Sequence, residues 1–151
     1  MVEPIVFATL GVAFAVSLPA IGAALGIGIS APAIAGAGTE RPEIVSKSLI
    51  ATILAEALAI YGLVVGLLSI FKLPDISATS VDAGFKLFSA GLTVGISALF
   101  AGFAVGASGG ALASATAEKP ELFSRVVVPL ILAEALAIYG LVAALLLVFQ
   151  A

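Results

Sequence analysis

Residues 54–64 read LAEALAIYGLV, and the same eleven letters recur at 132–142. Each copy is apolar except for one carboxylic acid, Glu56 in the first and Glu134 in the second. An acid repeated inside a greasy block must either be hidden in a soluble core or be carried in a membrane. Composition decides between the two. The chain has 151 residues, 62% of them hydrophobic and only 10% charged, with a mean hydropathy of +1.32. A soluble domain covers its core with a larger charged fraction, so this chain belongs in a bilayer.

The fifteen charged residues (six Lys and Arg, nine Asp and Glu) cluster between or at the ends of the long apolar runs, apart from these two acids. Glu40, Arg41, Glu43 and Lys47 form one group; Lys72, Asp75, Asp82 and Lys86 a second; Glu118, Lys119, Glu121 and Arg125 a third. Glu3 stands near the start, where a cleavable leader carries basic residues, so no such leader is expected. Between the groups lie apolar runs at about 4–39, 44–71, 83–117 and 122–150. Each exceeds the ~20 residues that span hydrocarbon. Backbone amides at that depth must be satisfied within the segment, so the expected fold is all-α with four transmembrane helices. Pro19, Pro32 and Pro129 are expected to bend these helices without ending them.

An offset of 78 residues superposes the two halves, with ERPEIVSK (40–47) on EKPELFSR (118–125). The expected organisation is two tandem helical hairpins, 1–73 and 83–151, joined by a loop at 74–82. Two helices per repeat send both halves into the membrane in the same direction, a parallel duplication. The loops at 40–47 and 118–125 hold four Lys and Arg against two, Lys72 and Lys86, flanking the middle loop, which favours the cytoplasmic side for the former. Arg41, Lys47, Lys119 and Arg125 are those four cations.

Depth follows from spacing. Glu56 is nine residues after Lys47 and sixteen before Lys72, roughly 14 Å and 24 Å along a helix; Glu134 is again nine residues after Arg125. Both acids therefore lie near mid-bilayer at one level. An ionised carboxylate there costs on the order of 2.5–3.5 kcal/mol on insertion scales. Neighbours one turn away (Ile53, Ala59 and Ile60; Leu130, Ile131, Ala137 and Ile138) offer no polar relief. The neutral acid is favoured until a cation or an aqueous path approaches, and such a group is a proton carrier. Thr52, a turn before Glu56, could support that acid; its counterpart is Leu130. Tyr61 and Tyr139 follow the acids by five residues, about 140° round the helix, and read as packing residues off the acid's face.

The first and third runs carry Gly22 and Gly26, Gly91 and Gly95, and Gly102, Gly106 and Gly110 at four-residue spacing among Ala and Ser. Small residues at that spacing let helix backbones approach closely. GIGISA (26–31) superficially fits a dinucleotide fingerprint, but no strand precedes it. No cysteine or histidine is present, which removes thiol chemistry and the commonest metal ligand, and no metal or cofactor is expected. The net charge of −3 argues against nucleic acid as a partner.

A glycine-rich helix, a polar turn and a helix with a mid-membrane Glu, all duplicated, resemble the proteolipid (c or K) of V-type and archaeal A-type rotary ATPases. The resemblance covers essentially the whole chain. It implies a homo-oligomeric ring in the lipid bilayer that turns against a stator membrane subunit. Glu56 or Glu134 would give up its ion near a stator arginine and reload from a half-channel. The loops at 40–47 and 118–125 would seat the central-stalk subunits, and nucleotide chemistry would belong to partner subunits, leaving this chain non-catalytic. Vacuolar members usually keep the acid only in the last helix. Retention of both is more similar to an archaeal or bacterial form, implying a prokaryotic cell membrane. Sodium-carrying relatives add Gln, Thr or Ser beside the acid. Here Ala57, Leu58, Ala135 and Leu136 follow the acids, and the glutamine position on the facing helix falls at Val105, with Ile27 its repeat mate. Protons are therefore favoured over sodium. A small proton-coupled multidrug exporter also uses four helices and a membrane Glu, but it would need an aromatic cavity and a single Glu in its first helix. A purely structural membrane protein would be indifferent to loss of either acid.

Overall fold

The computed structural model describes residues 3–77 and 81–151. The order is α1 (Pro4–Glu40), the short α2 (Val45–Ser48), α3 (Ile50–Lys72), α4 (Val81–Glu118) and α5 (Phe123–Phe149). No strand occurs among the described residues. Four segments, Pro4–Glu40, Pro42–Asp75, Val81–Glu118 and Pro120–Phe149, are long and apolar enough to cross a membrane. The 37 residues of α1 extend roughly 55 Å, well beyond a hydrocarbon core of about 30 Å, so its ends project. The middle loop of the sequence reading runs partly through residues 78–80, outside the described residues.

The repeat explains where the helices stop. α1 ends where Arg41 adopts φ −137° and ψ 88°, and α4 ends where Lys119 adopts φ −136° and ψ 93°. Each precedes a proline, Pro42 or Pro120, whose ring disfavours the helical region for the residue before it. A single 3-10 turn follows in both copies, Pro42–Ile44 and Pro120–Leu122. Leu49 separates α2 from α3, yet the bonds Leu49 N–H to Val45 O (3.0 Å) and Ile53 N–H to Leu49 O (3.1 Å) carry the ladder across it. The helices run through Pro19, Pro32 and Pro129 without interruption.

The broadest contact in the chain joins α1 to α4, and glycine makes it possible. A Cβ at Gly102 would meet the backbone oxygen, carbon and Cα of Gly22; one at Gly91 would meet the backbone of Gly11. At Gly106 it would lie 2.8 Å from Gly26 Cα, and at Gly26 it would lie 2.8 Å from Gly102 O. Gly95 meets Phe14 O and Leu18 in the same seam, whereas Gly110 is in ordinary contact with Ala33 at 3.4 Å. These two helices thus pack backbone on backbone. At the end away from loop 40–47, Phe7 stacks on Phe85 with ring centroids 4.5 Å apart, and Phe88 meets both Phe7 and Phe14 edge-on.

The outer helices dock through the glycine of each repeated block. Gly62 of α3 lies against Ala15 O and Pro19 of α1, and Gly140 of α5 lies against Ser97 of α4. Each hairpin is therefore an inner glycine-rich helix backed by an outer acid-bearing one. α3 and α5 also touch each other, and that contact places the site.

Candidate functional site

Glu134 is half-buried on α5, facing α3. The phenol of Tyr61, on α3, donates a short hydrogen bond to Glu134 Oε1. Tyr61 packs against Leu58, Ala98, Ala101 and Ala137, drawn from α3, α4 and α5. Val105 is fully buried one step away, with Ala55, Leu130 and Ala133. Among the described residues the acid's one side-chain hydrogen-bond partner is thus itself set in an apolar wall. Such a phenol fixes the carboxyl's direction, and its bond is worth most when the acid is ionised.

Tyr61 packs against the core, as the sequence reading expects, and adds a hydrogen bond to Glu134 that this reading did not give it. It does lie off the face of Glu56, as five residues along one helix require. That same rotation aims it at the neighbouring helix, where the second repeat supplies its acid. The signal was in the sequence: a phenol in a membrane helix needs a partner for its hydroxyl, and the repeat offers a second carboxyl at the same depth.

Glu56 occupies the equivalent position on α3, but there it is exposed on the outer surface of the single chain. It makes no side-chain hydrogen bond or ion pair among the described residues. The Thr52 hydroxyl donates instead to Leu49 O at 2.8 Å. Tyr139, the counterpart of Tyr61, is 68% exposed.

The loop cations lie together at one end. Arg41 approaches Glu43 at 3.9 Å, while Lys47, Lys119 and Arg125 are exposed. A cavity of about 240 Å³ between the loops is lined by Glu43, Ile44, Lys47, Thr116, Pro120 and Phe123. At the opposite end Lys86 pairs with Asp82 (2.6 Å) and donates to Gln150 O (3.0 Å), tying the start of α4 to the end of α5. Among the described residues no group of three or more potential ligands could hold a metal ion.

Comparison with known proteins matches this arrangement twice over. The family model for the C subunit of ATP synthase matches residues 10–69 and again 88–147, one match per hairpin. The 16 kDa proteolipid of the V-type proton ATPase of Ovis aries is 43% identical over 141 residues, spanning 93% of this chain and 90% of that protein. The human 16 kDa proteolipid of the V-type proton ATPase is also 43% identical over 141 residues, with the same coverage. Subunit c'' of the V-type proton ATPase of Saccharomyces cerevisiae is 38% identical over 155 residues, spanning 99% of this chain and 73% of that protein. These relatives are eukaryotic and lend no support to the prokaryotic origin expected from the paired acids. Four apolar spans and two family matches make this an integral, multi-pass membrane protein, and the chain belongs to the family of the ATP synthase C subunit.

Proposed function

We propose that this chain is an ion-carrying rotor component, assembled as a ring of copies that turns in the membrane of a V-type or A-type ATPase. It is a non-catalytic member of that complex; the coupling to ATP lies in partner proteins. The observation that carries the reading is Glu134, held at mid-span by the Tyr61 phenol within the wall of Leu58, Ala98, Ala101 and Ala137.

The chemistry follows from that wall. Facing lipid, the carboxyl is stable only as the neutral acid, because an ion there is expensive. Facing an aqueous half-channel and a stator arginine, it ionises, and the Tyr61 hydroxyl steadies the carboxylate while the proton leaves. Reprotonation from the second half-channel lets the site return to lipid. Glu56 performs the same exchange from the first hairpin. The exposed loops at 40–47 and 118–125 seat the central stalk. Protons suit this site better than sodium, since Val105, Ala133 and Leu130 supply no oxygen ligands behind Glu134.

The test uses the assembled complex in vesicles. Glu134→Gln and Glu56→Gln should each cut ATP-driven proton uptake to a small fraction of the parent, with the chain still assembled. Full uptake after both substitutions together would sink the proposal.

A further inference from the structure

We infer that the second hairpin carries a water-bearing groove along the seam of α4 and α5. It leads from the end of the bundle opposite loops 40–47 and 118–125 toward Glu134; its use for proton transfer rests on the rotor reading proposed above. The matching seam of the first hairpin is closed.

Asp82, Lys86, Ser89, Thr93 and Ser97 follow one another along α4 at intervals of four, three, four and four residues. At about 100° per residue they share one face, within roughly 80° of arc. That face borders α5 at both ends. Lys86 donates to Gln150 O just past the end of α5, and a Cβ added at Gly140 would collide with Ser97 Oγ. Between these points lies a groove of about 460 Å³, lined by Ser89, Leu92, Thr93, Ile96 and Ser97. The repeat supplies the comparison. On α1 the same five positions are Pro4, Ala8, Gly11, Ala15 and Pro19, all buried. There Gly62 closes on Ala15 O and Pro19. One seam is open and lined with hydroxyls; its twin is apolar and shut.

A hydroxyl within a membrane helix is usually satisfied by a carbonyl one turn back, as Ser30, Ser69 and Thr116 are by Gly26, Val65 and Leu112. The side chains of Ser89 and Thr93 make no hydrogen bond among the described residues. A free hydroxyl is costly in hydrocarbon and is satisfied by water. At about 30 Å³ per molecule the groove has room for several waters. Its upper end, Ser97 opposite Gly140, lies six residues short of Glu134, or roughly 9 Å along α5. Water standing there can take up the proton that Glu134 releases, or return one, once the stator face completes the last step past Ala101 and Ala137. Glu56 has no such approach within its own hairpin, where Pro19 stands in the place of Ser97.

The test uses the assembled complex in lipid nanodiscs and a permanently charged methanethiosulfonate reagent, which stays out of hydrocarbon. The chain has no cysteine, so each variant carries a single thiol. Ser89→Cys, Thr93→Cys and Ser97→Cys should react at least tenfold faster than two comparison sites. These are Ala15→Cys, the closed counterpart of position 93, and Leu146→Cys, on the exposed face of α5. Equal, slow reaction at all five positions, as when a neighbouring copy fills the groove dry, overturns the groove. The double variant Thr93→Val with Ser97→Ala should lower ATP-driven proton uptake at least threefold, with assembly checked by native mass spectrometry. Unchanged uptake in an assembled double variant overturns the groove's part in proton transfer. The thiol ranking decides on the groove itself whether or not that variant assembles. Failure of the rotor reading is read separately, as full uptake after Glu56→Gln with Glu134→Gln.

Discussion

Tyr61 and Glu134 stand 73 residues apart in the sequence and share one hydrogen bond in the middle of the membrane span. The bond joins the two repeats, so the acid of the second hairpin is held by the first. In the rotor proposed above, that carboxyl loses its proton beside the stator arginine, where the Tyr61 phenol steadies the carboxylate. It can also regain that proton without disturbing the packing, because the phenol can remain in place in either state.

Removing that donor should therefore change the chemistry of Glu134 and little else. Tyr61→Phe keeps the ring that packs beside Leu58, Ala98 and Ala137. Carbodiimide labelling of Glu134 should quicken by about tenfold, the size of one hydrogen bond to a charged group, while thermal stability stays within about 1 kcal/mol of the parent. Labelling at the parental rate would mean that the bond does not form in the membrane.

The glycine seam gives a stability test with a built-in control. At Gly102 an added Cβ would meet three backbone atoms of Gly22, including Cα at 2.8 Å, and backbone cannot step aside as a side chain can. Gly102→Ala should destabilise the chain by about 2–3 kcal/mol, the upper part of the range for overpacking. Gly36 has open space within 4 Å, and its repeat mate Ser114 already carries a side chain, so Gly36→Ala should be neutral or slightly stabilising. Thermal melts in detergent that rank the two variants the other way would contradict the seam.

Much of this architecture was legible before any coordinates. Charge clusters bounded the four helices because a bilayer tolerates charge only at its edges, and the 78-residue offset exposed the two hairpins. The ends of α1 and α4 could be placed to within a residue or two, since the residue before Pro42 or Pro120 is pushed out of the helical region. The partner of Glu134 was not legible along one helix. Helical periodicity tells which residues share a face, and Tyr61 does not share the face of Glu56. Which helix faces which is set by the packing of Gly62 on Ala15 and Pro19, a tertiary contact with no local signature. The donor role of Thr52 was hidden for a related reason: a hydroxyl inside a helix has a carbonyl of its own helix within reach, and Thr52 uses that of Leu49.

Lys86 should matter only modestly, despite its two contacts. It pairs with Asp82 at 2.6 Å and donates to Gln150 O at 3.0 Å, but the Asp82 side chain is 83% exposed. Water and salt screen such a pair, so Lys86→Met should cost no more than about 1 kcal/mol. A melting temperature that falls sharply in this variant at low ionic strength and recovers in high salt would show that the end-to-end tie carries more than this.

The choice of ion can be tested at Glu56, where Thr52 is the nearest candidate for a second oxygen ligand. Sodium must exchange its water for several oxygens, and one carboxylate with one threonine is a poor replacement. The Thr52 hydroxyl also has its proton committed to Leu49 O, so its main structural work is inside α3. Thr52→Val preserves the shape of the side chain and deletes only the hydroxyl. Labelling of Glu56 in that variant should stay within about twofold of the parent, as expected for a change that touches no partner of the acid. Sodium at fixed pH should protect neither Glu56 nor Glu134 in the parent. Strong protection of Glu56 by sodium, abolished in Thr52→Val, would instead make Thr52 a ligand and sodium the ion carried by the first hairpin.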